Sequence, residues 1–329
     1  MQKAAIVILN YNGGETLRKF LPSVVRFSKF SIIVADNASQ DNSLEVLEKF
    51  PQVQIIRLTK NYGFAGGYTG SLESLKGKFQ YYILLNSDVE VTESWDSTLI
   101  RWLDEHPEAA SLQPKILSYQ RPEFFDHAGA GGGFLDVFGY PYCRGRFFDQ
   151  IEKDEGQYDD DIQVDWTSGA CMAIKAEAFH EVNGFDSDYF AHMEEIDLCW
   201  RMKRRGFSLY YTGSAKVYHV GGATLSRNNP QKTYLNFRNS LFTLRKNLPN
   251  ISWIPIYLVR IFLDLLASIV FFFKDQKKHS LMILKAHREF LKMHKCFEKQ
   301  YGNTVKTKGN VKFLLWQFYI LGKSKYSEV

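Results

Sequence analysis

Ala4–Leu9, Ser31–Ala35, Val53–Leu58 and Tyr81–Leu85 are apolar runs of strand length, and each ends in a polar or glycine-containing loop. Between them apolar residues return at helical spacing, as at Leu17, Phe20, Leu21, Val24 and Val25, and a further short helix is expected over Asn42–Lys49. Strands that alternate with helices predict a parallel sheet joined by right-handed crossovers, a Rossmann-like layer buried on both faces. In such sheets ligands sit beyond the carboxyl ends of the strands. The loops after the four runs are therefore where chemistry is to be sought.

Those loops read Asn10-Tyr11-Asn12-Gly13-Gly14, Asp36-Asn37-Ala38-Ser39, Asn61-Tyr62-Gly63-Phe64-Ala65-Gly66-Gly67 and Asn86-Ser87-Asp88. No G-x-G-x-x-G follows the first run, where a dinucleotide's pyrophosphate would need it, so a nicotinamide oxidoreductase is disfavoured. Asp36 can accept a hydrogen bond from a nucleobase imide or a ribose hydroxyl, or can simply close an Asx-turn. Asp88 can hold a divalent cation, and through it a diphosphate, or can cap the helix expected from about Ser94.

Between Lys115 and Val164 the periodicity breaks down, with Gly129–Gly133, Arg144-Gly145-Arg146 and Asp159-Asp160-Asp161 in loop-like surroundings. A long insert of this kind reads as a lid or substrate loop, or as an irregular excursion. Order returns at Trp166–Ile174, a strand entered from a small-residue loop. A helix is expected over Glu194–Arg205, acidic in its first turn and basic in its last, as the helix dipole prefers. Helical spacing sets Glu194, Asp197 and Arg201 on one side to pair with each other and leaves Glu195 free. A strand pair near Ser208–Tyr211 and Ala215–His219 then leads to His219, either a structural residue or a ligand beneath a closing Gly221-Gly222 loop.

With these residues assembled, the chain from about Ala4 to Asn247 resembles glycosyltransferase family 2, in particular its bacterial rhamnosyltransferase-like branch. Five ordered motifs carry the resemblance: Leu9–Gly13, Ala35–Ser39, Asn61–Gly67, Leu85–Asp88 and Glu194–Arg201. It implies a GT-A fold, a mainly parallel Rossmann-like sheet flanked by helices, with a C-terminal helical extension. It also implies inverting, metal-assisted transfer of a sugar from a nucleotide-diphosphate donor to a glycan or lipid-linked acceptor in cell-surface polysaccharide synthesis.

Carried over by position, Asn10, Tyr11, Asn12, Asp36, Asn61, Gly63, Asn86, Ser87 and Asp88 would line the donor site. Asp88 and His219 would hold Mg2+ or Mn2+, and Glu195, with Glu194 and Asp197, would make up the catalytic group. Trp166, Gly169 and His192 would face the acceptor. Two positions depart from the family pattern: Asn86 replaces the first acid of the metal motif, and Glu194-Glu195 replaces a Glu-Asp pair. A nucleotide-sugar-binding protein without turnover is the reading those departures leave open. A nucleotidyltransferase would carry a basic residue in its first loop, and Asn12-Gly13-Gly14-Glu15 has none.

Residues 1–247 are expected to form the catalytic domain, with a nucleotide-sugar half (1–113) and an acceptor half (114–247) that contains the insert 115–165. A basic helical region, 248–329, would follow. From Lys274 to Val329 there are 13 Lys and Arg against 4 Asp and Glu, a balance of +9 that leaves −4 for the preceding 273 residues. Trp253–Phe273 is apolar enough to span a bilayer but contains Arg260 and Asp264, each costly at its centre. An interfacial helix on an anionic membrane surface fits this pattern, and so does a helical hairpin packed on the catalytic domain. Four scattered cysteines (Cys143, Cys171, Cys199, Cys296) without a C-x-x-C suit a reducing compartment, and Met1 leads almost at once into a strand. A cytoplasmic protein, peripheral on the inner membrane face and not binding nucleic acid, is the expectation.

Overall fold

A computed structural model describes residues 1–221, 229–293, 308, 309, 311 and 313–329. The loop through Gly222 expected to close over His219, Cys296, and the end of the expected basic helix lie outside the described residues.

The first half alternates as expected: β1 (Gln2–Asn10), α1 (Gly14–Phe27), β2 (Ser31–Asp36), α2 (Ser43–Leu47), β3 (Gln54–Arg57), α3 (Gly63–Glu73) and β4 (Phe79–Asn86). Next come β5 (Val89–Val91), α4 (Trp95–Glu105) and the long β6 (Ala109–Ser118). Strands β7 (Gly133–Leu135), β8 (Pro141–Cys143), β9 (Arg146–Phe147), β10 (Gln150–Ile151) and β11 (Asp161–Gln163) precede β12 (Cys171–Lys175) and α5 (Ala176–Glu181). After α6 (Glu194–Arg204) and β13 (Ser208–His219), the chain is helical: α7 (Pro230–Asn247), α8 (Asn250–Phe273), α9 (Lys277–Met293) and α10 (Leu314–Tyr319).

The main sheet runs β11-β13-β6-β12-β4-β1-β2-β3, with β5 paired to β13. Strands β3, β2, β1 and β4 are parallel, and β12 enters antiparallel between β4 and β6. Strand order therefore reverses at β1, between β2 and β4. The carboxyl ends there, at Asn10, Asp36 and Asn86, open on the crevice such a reversal creates. Ile6, Ile8, Ile83 and Leu85 fill the core on one face of the sheet, and Val7, Tyr82, Leu84 and Tyr68 fill it on the other.

Two elements differ from expectation. The strand pair near Ser208–His219 is one twelve-residue strand whose register with β6 shifts between Thr212 and Lys216. Gly213 lies at this shift, and the Asp159 backbone packs against it, leaving no room for a side chain. The insert carries regular structure of its own. Strands β7–β10 form a small antiparallel sheet, and Lys115 pairs with Asp154 and Asp159 while Arg144 pairs with Asp160.

The chain's last segment fastens onto that sheet. Val311 N–H donates to the Tyr142 hydroxyl (3.1 Å), Leu314 N–H to Asp136 (3.1 Å) and Tyr326 N–H to Glu152 (3.2 Å). The Tyr326 ring stacks on Phe134. The three backbone N–H donors bound to Asp136 (Phe138, Tyr140 and Leu314) do not fully offset its burial, and its carboxyl is pushed up to about 6.

Helix α8 is long and apolar enough over Ile251–Phe273 to cross a membrane by length and composition. Its polar residues, however, face the protein. Arg260 and Asp264 are buried, and the Asp264 carboxylate accepts hydrogen bonds from Tyr140 of the insert and from His287 of α9 (both 3.0 Å). Arg260 donates to the Ser240 hydroxyl of α7 and the Phe138 carbonyl, and Ser268 meets Ser280 at 2.8 Å. Leu258, Phe262, Leu265, Leu266, Ile269 and Phe273 lie exposed on the other faces.

Candidate active site

Asn10 and Asp36 are register partners on β1 and β2. The Asn10 amide donates to Asp36 (3.2 Å) and to the Ser39 hydroxyl (3.1 Å), and Ser39 N–H donates to the other Asp36 oxygen (3.1 Å). Asp36 thus closes the turn at the strand end. Asn10 Oδ1 is buried without a protein partner. Tyr11 and Asn12 are exposed beside it, with the Tyr11 ring open to stack on a planar group.

The Asn61–Gly67 loop is organised by Asn37, a residue absent from the sequence candidates. Its side chain donates to Asn61 Oδ1 (3.1 Å) and the Gly63 carbonyl (3.0 Å), and accepts from Tyr62 N–H (3.0 Å). Gly63 has φ +71, and a Cβ there would lie 2.5 Å from the Phe190 carbonyl oxygen, so both backbone shape and space require glycine. That carbonyl accepts hydrogen bonds from Phe64 N–H (2.7 Å) and Ala65 N–H (3.2 Å) at the start of α3. The donor-side loop is thereby bonded directly to the loop that precedes α6.

At the end of β4, Asp88 Oδ1 lies 3.2 Å from His219 Nε2, and Asn86 Nδ2 lies 3.4 Å from the same nitrogen. The capping alternative fails, because α4 begins at Trp95 with Ser94 as its cap. His219 Nδ1 contacts Asp126 at 2.9 Å. Burial works against a charge on His219, yet the hydrogen bonds to Asp126 and Asp88 and the charges on both overcome it and raise its pKa to about 10. Burial likewise opposes ionisation of Asp88, but the His219 contact holds its carboxyl below the usual range.

Asp88 Oδ1 and His219 Nε2 are the residues that would hold a divalent cation here, once the proton they share is displaced. Asp126 then fixes the histidine ring from behind, as carboxylates commonly do for metal-bound histidines. Among the described residues no three His, Cys, Asp or Glu side chains converge on one point. Asp88 and His219 would therefore supply two ligands and leave the remaining positions to the donor and water.

The loop before α6 is held in an uncommon shape, with φ of +62, +69 and +71 at Phe190, His192 and Met193. Buried Asn239 of α7 binds it, its amide donating to the carbonyls of Tyr189 (2.9 Å), Ala191 (2.9 Å) and His192 (2.7 Å). Oε2 of Glu194, Oε2 of Glu195 and Nε2 of His192 are buried and without protein partners. Burial and the neighbouring Glu195 push Glu194 well above the ordinary glutamate range. Glu195, partly exposed as a residue, is pushed up by burial to about 7. Burial and the charge of Lys232 pull His192 down to about 4, leaving it a neutral acceptor.

Three site expectations need correction. Asp197 does not join the catalytic group: it is fully buried and bound to Arg201 (2.8 Å), Lys246 (2.8 Å) and Asn247 (2.9 Å), and these cations override its burial and hold it down at about 2. Glu194 is not part of that cluster; Lys246, from a distant helix, takes the place sequence spacing gave it. Trp166 is buried, its indole N–H donating to the Phe134 carbonyl (3.0 Å) and its ring covering Gly133, so it anchors the insert and does not face an acceptor. Gly169 packs against Phe64 of the donor-side loop.

A family model described as "Glycosyl transferase family 2" matches residues 5–182. The N-acetylglucosaminyl-diphospho-decaprenol L-rhamnosyltransferase of Mycobacterium tuberculosis is 26% identical over 234 residues, covering 65% of this chain and 75% of that protein. Rhamnosyltransferase WbbL of Escherichia coli is 25% identical over 220 residues, covering 65% and 82%. Among solved structures, GalNAc-T7 with UDP, GalNAc and Mn2+ superposes with a TM-score of 0.57 at 15% identity, over 75% of this chain and 48% of that one. The chain thus spans about half the length of that neighbour, and the likeness is one of fold.

Proposed function

The chain belongs to glycosyl transferase family 2 and has the GT-A fold, and on that premise we propose that it moves a sugar, with inversion, from a nucleotide-diphosphate donor to a hydroxyl of a lipid-linked glycan acceptor. Support comes from its rhamnosyltransferase relatives, one of which is named for an acceptor sugar on decaprenyl diphosphate. The observation that carries the proposal is the coupling of two halves at one sheet edge. The Asp88–His219 pair ends β4 and β13, and the loop leading to Glu194-Glu195 is bonded through Phe190 to the donor-side loop.

Asn10 and Asp36 would orient the nucleoside, and Tyr11 would cover its base. Asp88 and His219 would hold Mg2+ or Mn2+, which supplies charge compensation for the departing diphosphate. Glu195 would take the acceptor hydroxyl proton as that oxygen bonds to the anomeric carbon and the bond to the diphosphate breaks. Burial and its Glu195 neighbour raise Glu194, so the two adjacent acids would resist carrying full charge together. His192 Nε2, buried and without a protein partner, would accept a hydrogen bond from the acceptor sugar.

The domain division of the proposal is catalytic 1–247, with halves 1–113 and 114–247, followed by 248–329. The last region would rest the protein on the anionic inner face of the cell membrane. What supports a peripheral placement is that Arg260 and Asp264 face Tyr140 and His287 while the rest of α8 is apolar and exposed.

The test is transfer by the purified full chain from a panel of nucleotide sugars to polyprenyl-diphosphate-linked acceptors, with and without chelator. The anomeric configuration of the product is read by NMR. Retention of configuration, or full activity in chelator, would overturn the mechanism.

A further inference from the structure

Beside the acceptor loop, two cations flank one aromatic ring. Tyr234 of α7 has Lys285 Nζ of α9 4.7 Å from its ring centre and the Arg238 guanidinium 5.3 Å from it. Tyr234, Leu235 and Ala286 form a small cluster on which Ala191 of the acceptor loop packs. The charge of Lys232, two residues earlier on α7, is felt at His192 in that loop.

Most inward-facing cations of this molecule meet a carboxylate: Lys115, Arg144, Arg201, Lys246 and Arg260 all do. Lys285 and Arg238 do not, among the described residues. Arg238 donates to the Asp188 and Tyr189 carbonyls and to Asn239 Oδ1. The one acid of α9, Glu289, pairs with Arg288 and Lys292. Lys285 also shares a helical face with exposed Leu281 and Leu284. Its ammonium therefore marks the border between the apolar outer surface and the loop that carries the candidate base.

We propose that Lys285 and Arg238, which share the Tyr234 ring, form the binding site for the diphosphate of a lipid-diphosphate-linked acceptor, with the hydrocarbon lying along the exposed apolar surface of α8 and α9. This rests on the lipid-linked reading given above. A diphosphate is a concentrated anion that suits the mobile Lys285 ammonium together with Nη1 of Arg238, whose Nε and Nη2 already hold Asn239, Asp188 and Tyr189. An acceptor held here by its diphosphate presents its sugar to His192 and Glu195 while its chain stays in the bilayer. Carboxylate partners would have cancelled the attraction, and among the described residues neither cation has one.

The test uses the full chain in detergent and geranylgeranyl diphosphate as probe, followed by calorimetry. Wild type should bind it, and Lys285→Ala should bind about tenfold or more weakly, as loss of one charged hydrogen bond predicts. Lys285→Arg should restore binding. Acceptor KM on a polyprenyl-diphosphate sugar should rise by a similar factor in Lys285→Ala, with kcat and the slow hydrolysis of donor by water unchanged. KM for the same sugar on a neutral aglycone should not move.

Equal binding by wild type and Lys285→Ala, or equal KM changes with both aglycones, overturns the site. Inorganic pyrophosphate binding as tightly as the lipid, or loss only of adhesion to phosphatidylglycerol vesicles, assigns the cations to a free anion or to lipid headgroups and also overturns it. Wild-type transfer to non-lipid glycans alone would remove the lipid-linked reading without touching the calorimetric result.

Discussion

Replacing Glu195 by glutamine should make the protein inactive and more stable at once, with the gain confined to neutral and alkaline pH. Gln keeps the shape of the side chain and removes the proton-accepting charge. Loss of a general base costs about 10²–10⁴-fold in rate, while donor affinity, set by Asn10, Asp36 and Asp88, should hold. The stability half follows from burial. The Glu195 carboxyl rises from its ordinary 4.5 to about 7 in the folded protein.

A carboxyl whose folded pKa is raised binds its proton more tightly when folded. It imposes no penalty below its unfolded pKa, and the cost of ionising it grows as pH climbs from 4.5 and is complete above 7. At roughly 1.4 kcal/mol per pKa unit that cost approaches about 3 kcal/mol, an upper figure because Glu194 shares the titration. Urea unfolding of wild type and Glu195→Gln at pH 4.5 and pH 8 measures it, and single-turnover transfer with donor affinity determined separately measures the rate. The variant should match wild type at pH 4.5 and exceed it by a few kcal/mol at pH 8. In wild type, transfer should rise with pH through about 7. A near-normal rate in Glu195→Gln beside a dead, donor-binding Glu194→Gln would move the base one residue back, and equal stability changes at both pH values would refute the burial argument.

Asp126→Ala should weaken Mn2+ binding about 10- to 100-fold by freeing the His219 ring, while Asp126→Asn, which can still accept from Nδ1–H, should be milder; Mn2+ titration by electron paramagnetic resonance in the presence of nucleoside diphosphate reads both. Asn239→Ala removes the amide that holds three carbonyls of the acceptor loop and should cost about 2–3 kcal/mol, together with a fall in kcat larger than any change in donor affinity; a variant with wild-type kcat would show that the loop holds its shape unaided. Leu258→Glu combined with Phe262→Glu on the exposed side of α8 should move the protein from the membrane to the soluble fraction with its melting temperature unchanged, and continued sedimentation with membranes would refute the peripheral placement.

The sequence was most legible where structure depends on neighbours in the chain. The β1–β4 alternation, the strand-end loops and the Asp88 position come from local periodicity and turn chemistry, and the structure keeps them. What escaped depends on distant partners. Strands β7–β10 are two or three residues long, too short to show a period, and they exist because each pairs with another and because the chain end covers them. Asn37 lies in the Ala35–Ser39 motif and Asp126 and Asn239 in none; the part each plays is recognisable only once Asn61, His219 and the carbonyls of Tyr189, Ala191 and His192 are beside them. Asp197 was drawn into the catalytic group because spacing cannot reveal that Lys246, 49 residues on, already neutralises it. His219 looked equally structural and functional from sequence, and its two carboxylate neighbours account for the structural reading.

The fastening of the chain end onto the insert has a consequence for biosynthesis. Phe134, Tyr142 and Glu152 leave the ribosome early, but the residues that close over them, Val311 to Tyr326, are made last. At about 5–20 residues per second, the small sheet waits roughly ten to thirty seconds with its aromatic face open. Helices α8 and α9 emerge within that interval, so the apolar surface can reach a bilayer before the domain that bears it is complete. The nascent protein would then finish folding where it works, and the exposed aromatics would be shielded by the membrane encounter for much of the delay.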